Sequence, residues 1–183
     1  MRLAPLLKSI KRFFRHCFST PWQVGRYFPH ATLEAIEHAI KASEDTHFGE
    51  IRFVIEADLH PLEIIARKTP EKRALELFGQ LGVWDTEYNN GVLIYLCLAD
   101  RDVEIVADRG IHQRVGHAGW ESICQAMEKH FRAGQFEAGA LSGIALVGEV
   151  LAQHFPVGDE AAILARSQSQ FPKNELPNAP LIL

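Results

Sequence analysis

The segment Val83–Gly110, VWDTEYNNGVLIYLCLADRDVEIVADRG, predicts the centre of the fold. Residues 92–98 form an apolar run of strand length, with β-branched and aromatic members. After the polar pair Asp100-Arg101 the chain must reverse, and residues 103–108 alternate in the way that suits a second strand. The segment therefore predicts a β-hairpin whose far end is lined with acidic residues.

The flanking regions predict an α/β fold. The expected elements, in chain order, are a helix over 32–46, a strand over 51–57, a helix over 61–80 that Pro70 interrupts, the hairpin, and helices over 115–131 and 136–155. A strand–helix–strand connection gives a right-handed parallel pair, and helices at both ends of the sequence can cover both sheet faces. The prediction is a three-layer α/β/α sandwich with a small mixed sheet.

Composition limits the class of protein. A chain of 183 residues with 47% hydrophobic and 23% charged residues is typical of one globular domain that buries a core without disulfides. The net charge of −4 argues against nucleic-acid binding, which usually requires a basic domain. Cys17, Cys97 and Cys124 form no CxxC pair, so we expect reduced thiols and a cytoplasmic location.

Residues 1–20 differ in charge from the rest of the chain. They hold five basic and no acidic residues, and their apolar residues fall on one half of a helical wheel. Charges interrupt the apolar residues and no small-residue cleavage site follows, so we do not expect a signal peptide. The pattern predicts a basic amphipathic helix that docks onto a membrane face or into a partner's groove; the alternative is a helix packed on its own domain.

Several motifs together resemble the TPM domain family, a bacterial and plastid group. The matching motifs are Asn89-Asn90-Gly91 before an apolar strand, Asp100-Arg101-x-Val103-x-Ile105, Gly49–Val54, Phe131–Phe136 with Phe136 in place of the usual Tyr, and Asn174–Pro177, which resembles the tail of soluble members. The resemblance places the TPM domain at residues 28–156. Residues 157–183 are expected to be a mostly irregular tail, whose apolar end, Leu181–Leu183, could dock.

The resemblance carries functional expectations. It implies the same α/β/α sandwich. Some members are described as acid phosphatases, and Ca²⁺ is reported for some. In related genomes LemA-type membrane proteins often accompany soluble TPM proteins, so the resemblance also implies a LemA-like membrane protein as a partner for residues 1–20.

The predicted topology gathers polar residues at the two edges of the sheet. The first edge, where both parallel strands begin, holds Glu50, Asp85, Glu87, Asn89, Asn90, Asp108 and Arg109. The opposite edge holds Asp58, His60, Asp100, Arg101 and Asp102. Ligands in open α/β sheets usually bind beyond the carboxyl ends of the parallel strands, which is the opposite edge here, but a tight hairpin leaves little room there. Two longer glycine-containing loops, expected over 81–90 and 109–119, favour the first edge.

The acidic first edge suits a hard cation such as Ca²⁺, with Asp85 and Asp108 as the predicted metal ligands. The alternative is that both are solvated loop residues or helix caps, with Arg109 as a surface ion-pair partner. Zinc is disfavoured because His112 and His117 lack a third ligand at a recognisable spacing. The chain contains neither GxGxxG nor GxSxG.

Two functions follow. The first is a cytoplasmic accessory module that docks through its basic helix and carries a divalent-cation site. The second is a metal-assisted acid phosphatase acting on phosphomonoesters, in which Asp85 or Asp108 binds the metal and Arg109 holds the phosphate.

Overall fold

A four-stranded mixed sheet forms the middle layer of the computed structural model, which describes residues 11–16, 21–157 and 174–183. In chain order the elements are α1 (Pro21–Tyr27), α2 (His30–Glu44), β1 (Glu50–Glu56), α3 (Pro61–Ile65), α4 (Pro70–Gln80), β2 (Gly91–Cys97), β3 (Asp102–Ala107), α5 (Arg109–Arg132), α6 (Phe136–His154) and β4 (Leu181–Ile182). Residues 11–16 are also helical.

The strand order is β3-β2-β1-β4. Strands β1 and β2 are parallel, with Glu50 opposite Gly91, and β3 returns antiparallel to β2, with Ala107 opposite Val92. The predicted parallel pair and hairpin are confirmed. Every residue of β1 and β2 is buried, as expected for strands covered on both faces.

Alternate residues of the strands face two separate cores, which confirms the three-layer sandwich. Helices α1, α2, α5 and α6 cover one face, where Phe53 and Ile94 lie in the larger core. Helices α3 and α4 cover the other, where Val54 and Tyr95 lie in the smaller core. The single predicted helix over 61–80 divides before Pro70, where the Thr69 hydroxyl accepts a hydrogen bond from the amide of Lys72.

The expected loop over 109–119 is wrong, because α5 begins directly after β3. Asp108 caps this helix, its Oδ1 accepting a hydrogen bond from the amide of Arg109 at 2.6 Å. Gly116 has a φ of 73° and a ψ of 168°, non-helical values that glycine adopts without steric cost, so α5 consists of two helical segments joined by a kink at this residue. The glycines that suggested a loop therefore belong to a kinked helix.

Helix α6 is long and apolar enough to cross a membrane by length and composition. In the structure it packs against α2 and α5. Two of its glycines permit this close approach: a Cβ at Gly143 would lie 2.2 Å from Met127 Sδ, and one at Gly139 would lie 2.6 Å from the Phe131 ring. The apolar residues on this face of α6 therefore belong to the larger core.

The short helical turn at residues 11–16 packs on the domain itself. Three of its side chains reach Asp100 in the β2–β3 turn: Arg12 Nε at 2.9 Å, Arg15 Nη2 at 2.7 Å and His16 Nε2 at 3.0 Å. His16 Nδ1 also accepts a hydrogen bond from the amide of Leu59 at 2.9 Å. This part of the predicted amphipathic helix thus follows the packed alternative, whereas residues 1–10 and 17–20 lie outside the described residues.

These contacts set the ionisation of Asp100. Burial by itself would raise its pKa, but the hydrogen bonds from His16 and Arg12 and the positive charge of Arg12 outweigh burial, so the pKa of Asp100 falls below 3.8. Because the carboxylate is favoured in the folded state, its contribution to stability is fully present above pH 3.8 and is lost as the pH falls through the lowered pKa.

We predict that Asp100→Asn lowers the free energy of unfolding at pH 7 by about 2 kcal/mol, because it leaves partly buried cations without their counter-charge. Urea unfolding from pH 7 to pH 2 should show this difference shrinking below pH 3.8. Asp102→Asn is the matched control: burial and the neighbouring Glu128 and Glu104 raise the pKa of Asp102 to about 7, so removing its charge should not destabilise the protein at pH 7 or above. If the difference in unfolding free energy between the parent and Asp100→Asn grew on acidification, it would contradict the lowered pKa of Asp100.

Candidate functional site

The starts of β1 and β2 and the end of β3 meet at one edge of the sheet. Glu50 pairs with Gly91 across the parallel strands, and the amide of Asp108 donates to the Gly91 carbonyl at 2.9 Å. We call this region the loop edge, made of Glu50, the loop 81–90 and residues 108–110. Its composition follows from strand direction, as the sequence predicted.

Asn90 holds the loop against the strand layer from inside. Its side chain is fully buried, and Nδ2 donates to the carbonyl of Phe48 at 2.8 Å. Its amide donates to the Thr86 hydroxyl at 3.1 Å. The amide oxygen, Oδ1, is buried and has no hydrogen-bond partner among the described residues.

Asp108, like Asn90, carries a buried side-chain oxygen without a hydrogen-bond partner among the described residues. The side chain is 6% exposed. One carboxylate oxygen caps α5, whereas the other, Oδ2, is buried with no hydrogen-bond partner in the described part of the chain. Leaving a buried polar oxygen unpaired costs free energy, and such a group in a native protein usually contacts water or an ion. The loop edge thus contains two buried oxygen acceptors.

The loop reaches the start of α5 through close backbone contact. A Cβ at Gly110 would lie 2.5 Å from the carbonyl oxygen of Asn89 and 2.9 Å from that of Tyr88, so only glycine fits there. Asn89 itself has a φ of 52°, a left-handed conformation that Asn tolerates better than most residues. Two carbonyl groups of the loop consequently lie beside the first turn of α5.

The other predicted residues are placed differently. Asp85 and Asn89 are exposed on the loop, and Arg109 is exposed on the first turn of α5. Glu50 is buried, and its Oε2 accepts a hydrogen bond from the amide of Leu176 in the C-terminal segment at 3.2 Å. Glu87 is half-buried, and its amide donates to Glu175 Oε2 at 3.1 Å. Asp85 and Asp108 share no described hydrogen bond, so their convergence on a cation stays a prediction.

The opposite edge offers a second cluster of metal-ligand types. His16, Cys97 and Asp100 place three potential ligand atoms within 4.8 Å of one another. Each is already committed, however. Both oxygens of Asp100 bind arginines, and burial raises the pKa of the Cys97 thiol to about 12. Because His16 Nδ1 accepts from a backbone amide, the ring proton lies on Nε2, the only nitrogen facing Asp100.

This second cluster is therefore an ion-pair network and not a metal centre. A metal-bound histidine normally donates its other ring N–H to an acceptor, whereas the second nitrogen of His16 faces a donor. Sequence reasoning did not identify His16, because a single histidine in a basic segment gives no signal about the residue it will contact.

The chemistry of the loop edge suits a hard cation. Ca²⁺ binds six to eight oxygen ligands from carboxylates, amides, backbone carbonyls and water. The loop edge supplies a carboxylate oxygen from Asp108, an amide oxygen from Asn90, and the acidic side chains of Asp85 and Glu87 on the adjoining loop. The buried unpaired oxygens therefore fit such an ion.

Comparison with known proteins supports the fold. The chain is similar to the BA42 protein from the psychrophilic bacterium Bizionia argentinensis, solved by NMR, at 29% identity and a TM-score of 0.67, covering 84% of this chain and 93% of that one. It is also similar to the N-terminal domain of a protein from P. gingivalis, solved by NMR, at 25% identity and a TM-score of 0.57, covering 71% and 82%. Among curated proteins no match was found.

The sequence also matches a family model. The model describes the TPM domain and aligns with residues 25–150, from α1 to near the end of α6. This range is more than half of the chain and contains both parallel strands, the hairpin and the whole loop edge. The chain therefore belongs to the TPM domain family.

Proposed function

We propose that this protein is an accessory TPM-domain module that binds a divalent cation at the loop edge and associates, through residues 1–20, with a membrane face or a LemA-like membrane protein. The observation that carries the cation site is the buried Oδ2 of Asp108, which has no hydrogen-bond partner among the described residues and lies at the same edge as the equally unpaired Oδ1 of Asn90. Ca²⁺ is the ion that this set of oxygens fits best.

In this proposal each residue has a definite part. Asp108 supplies the fixed charge, because α5 and the Gly91 carbonyl hold its backbone. Asn90 supplies a neutral oxygen from the sheet side, and Asp85 and Glu87 add charge from the loop. The bound ion would join the loop 81–90 to the start of α5, and it would offset repulsion among the carboxylates of this edge.

We expect Ca²⁺ to raise the melting temperature of the parent protein, since an ion that binds only the native state adds about 2.7 kcal/mol at a hundred times its Kd. Asp108→Asn should remove most of this shift. Asn caps a helix as well as Asp does, so the metal-free melting temperature should change little. Differential scanning calorimetry with and without Ca²⁺ measures both effects. We expect a smaller loss for Asp85→Asn, because Asp85 is exposed.

Asp58→Asn, at the opposite edge of the sheet, is the matched control and should leave the calcium response intact. A calcium response that survives Asp108→Asn would place the ion elsewhere. A parent protein that shows no response would remove the cation site from the proposal.

The association with a membrane rests on the charge of the first 20 residues. Five basic and no acidic residues occur there, against 14 basic and 23 acidic residues in the remainder. Arg12 and Arg15 bind Asp100, while Lys11 and Phe14 of the same turn are exposed. An exposed aromatic ring beside basic side chains suits an anionic lipid surface.

Deletion of residues 1–10 should abolish co-sedimentation with vesicles that contain phosphatidylserine. It should leave the melting temperature nearly unchanged, because the contacts with Asp100 come from residues 12–16. Vesicles of phosphatidylcholine alone are the control, and the parent protein should not bind them. Equal binding of the parent and the deletion variant to anionic vesicles would refute this role.

A second function, metal-assisted hydrolysis of phosphomonoesters, is favoured by one feature. Arg109 is exposed beside Asp108 at the start of α5, where a guanidinium and the amides of a helix N-terminus can hold a phosphate. The TPM domain family includes phosphatase-like proteins. In this role Asp108 would hold the metal and Arg109 the phosphate.

The accessory role predicts no turnover of p-nitrophenyl phosphate with Ca²⁺ or Mg²⁺ present. Metal-dependent turnover that is lost in both Asp108→Asn and Arg109→Ala would instead establish the phosphatase. Arg26→Ala, which removes an arginine of α1, is the control for loss of positive charge.

A further inference from the structure

The C-terminal segment 174–183, which we call the tail, completes the sheet next to β1. Leu181 and Ile182 pair with Val54 and Ile55 in parallel register. The pairing continues beyond the two-residue strand, because the amide of Leu183 donates to Ile55 O at 2.9 Å and that of Ala57 donates to Leu183 O at 3.3 Å. Without the tail, β1 would be an edge strand with unpaired backbone groups.

Side chains anchor the tail at its middle. Arg52, which is 8% exposed, donates from Nη1 to the carbonyls of Pro177 at 2.8 Å and Ala179 at 2.5 Å. Leu176 is 6% exposed and lies in the smaller core, together with Val83 from the start of the loop. A buried guanidinium needs hydrogen-bond acceptors, and the carbonyl groups of the tail supply them. The same hydrogen bonds hold the tail against β1.

The tail also touches the loop edge directly. Glu175 Oε2 accepts a hydrogen bond from the amide of Glu87, and the amide of Leu176 donates to Glu50 Oε2. Glu87 is two residues from Asp85 and three from Asn90. Hydrogen bonds to an ionised carboxylate are stronger than neutral ones, so Glu175 fixes the backbone of the loop at its middle.

We propose that the docked tail positions the loop 81–90 for cation binding, with Glu175 as the positioning residue. This inference rests on the cation site proposed above and gives that site a regulator within the same chain. If docking of the tail favours binding of the ion, binding of the ion must favour docking of the tail by the same factor. The occupancy of the loop edge and the state of the C-terminus are then coupled.

The test uses the full chain with single substitutions and measures calcium affinity by titration calorimetry. Glu175→Ala should weaken calcium binding about tenfold, a coupling of ordinary size. Glu175→Gln should retain most of the affinity, since its amide oxygen still accepts a hydrogen bond. Arg52→Met should release the tail without touching the loop, and it should weaken binding as Glu175→Ala does. Glu121→Gln, at an exposed position of α5, controls for the loss of one negative charge.

Hydrogen exchange provides readouts that a general loss of stability would not reproduce. In the absence of metal, the amide of Glu87 should exchange faster in Glu175→Ala than in the parent, while amides in the centre of β2 should be unchanged. In the parent, Ca²⁺ should slow exchange of the Leu183 amide, far from the loop in sequence.

The outcomes separate this inference from the proposed function. A parent protein that binds Ca²⁺, with equal affinity in Glu175→Ala and Arg52→Met, would overturn the role of the tail and leave the cation site standing. Tighter binding in these variants would also overturn it. A parent protein that binds no Ca²⁺ would overturn the proposed site and this coupling together.

Discussion

The structure depends on the complete burial of β1, a strand that carries charged side chains at Glu50, Arg52 and Glu56. All three lie on the face toward the smaller core, and each needs a partner there because an unpaired buried charge costs several kcal/mol. Glu56 accepts hydrogen bonds from both Nε and Nη2 of Arg73 on α4 and one, at 2.6 Å, from the hydroxyl of Tyr95. Burial raises the pKa of Tyr95 far above its usual value, which keeps that donor protonated. Glu50 accepts a hydrogen bond from the tail and Arg52 donates two to it, so a C-terminal segment remote in sequence helps to satisfy the central strand.

The satisfied side chains of β1 contrast with the loop edge. There the same sheet leaves Oδ1 of Asn90 and Oδ2 of Asp108 buried without hydrogen-bond partners among the described residues. Both positions are fixed by hydrogen bonds. Asn90 donates from its side chain to the Phe48 carbonyl and from its amide to the Thr86 hydroxyl, and Asp108 donates from its amide to the Gly91 carbonyl. Oxygens held in this way are preorganised for a ligand, because binding one would require little further ordering. The rigidity of the fold and the proposed cation site therefore have the same origin.

The two edges of the sheet differ in how their acidic side chains are paired. At the carboxyl ends of the parallel strands, where ligands of open α/β sheets usually bind, Asp100 is already neutralised by Arg12 and Arg15. That edge is closed by the chain's own N-terminal turn. At the loop edge the acidic residues outnumber the basic ones, and the one basic side chain, Arg109, is exposed to solvent. The ion pairs of Asp100 make the usual ligand-binding edge a structural junction, and the proposed cation site therefore lies at the loop edge.

Local sequence patterns predict the hairpin, the parallel pair, the break at Pro70 and the grouping of Glu50, Asn90 and Asp108 at one edge. These follow from local periodicity and from strand direction, both of which act over short distances. The sequence did not predict the start of α5, because the glycines of the segment after Asp108 suit a turn as well as a bent helix. The sequence also did not predict which residues pair with the buried charged side chains. His16 meets Asp100, Glu175 meets Glu87 and Arg52 meets the tail across 84, 88 and more than 120 residues. Local patterns cannot predict such pairs, because each pair depends on which distant segments the folded sheet brings side by side.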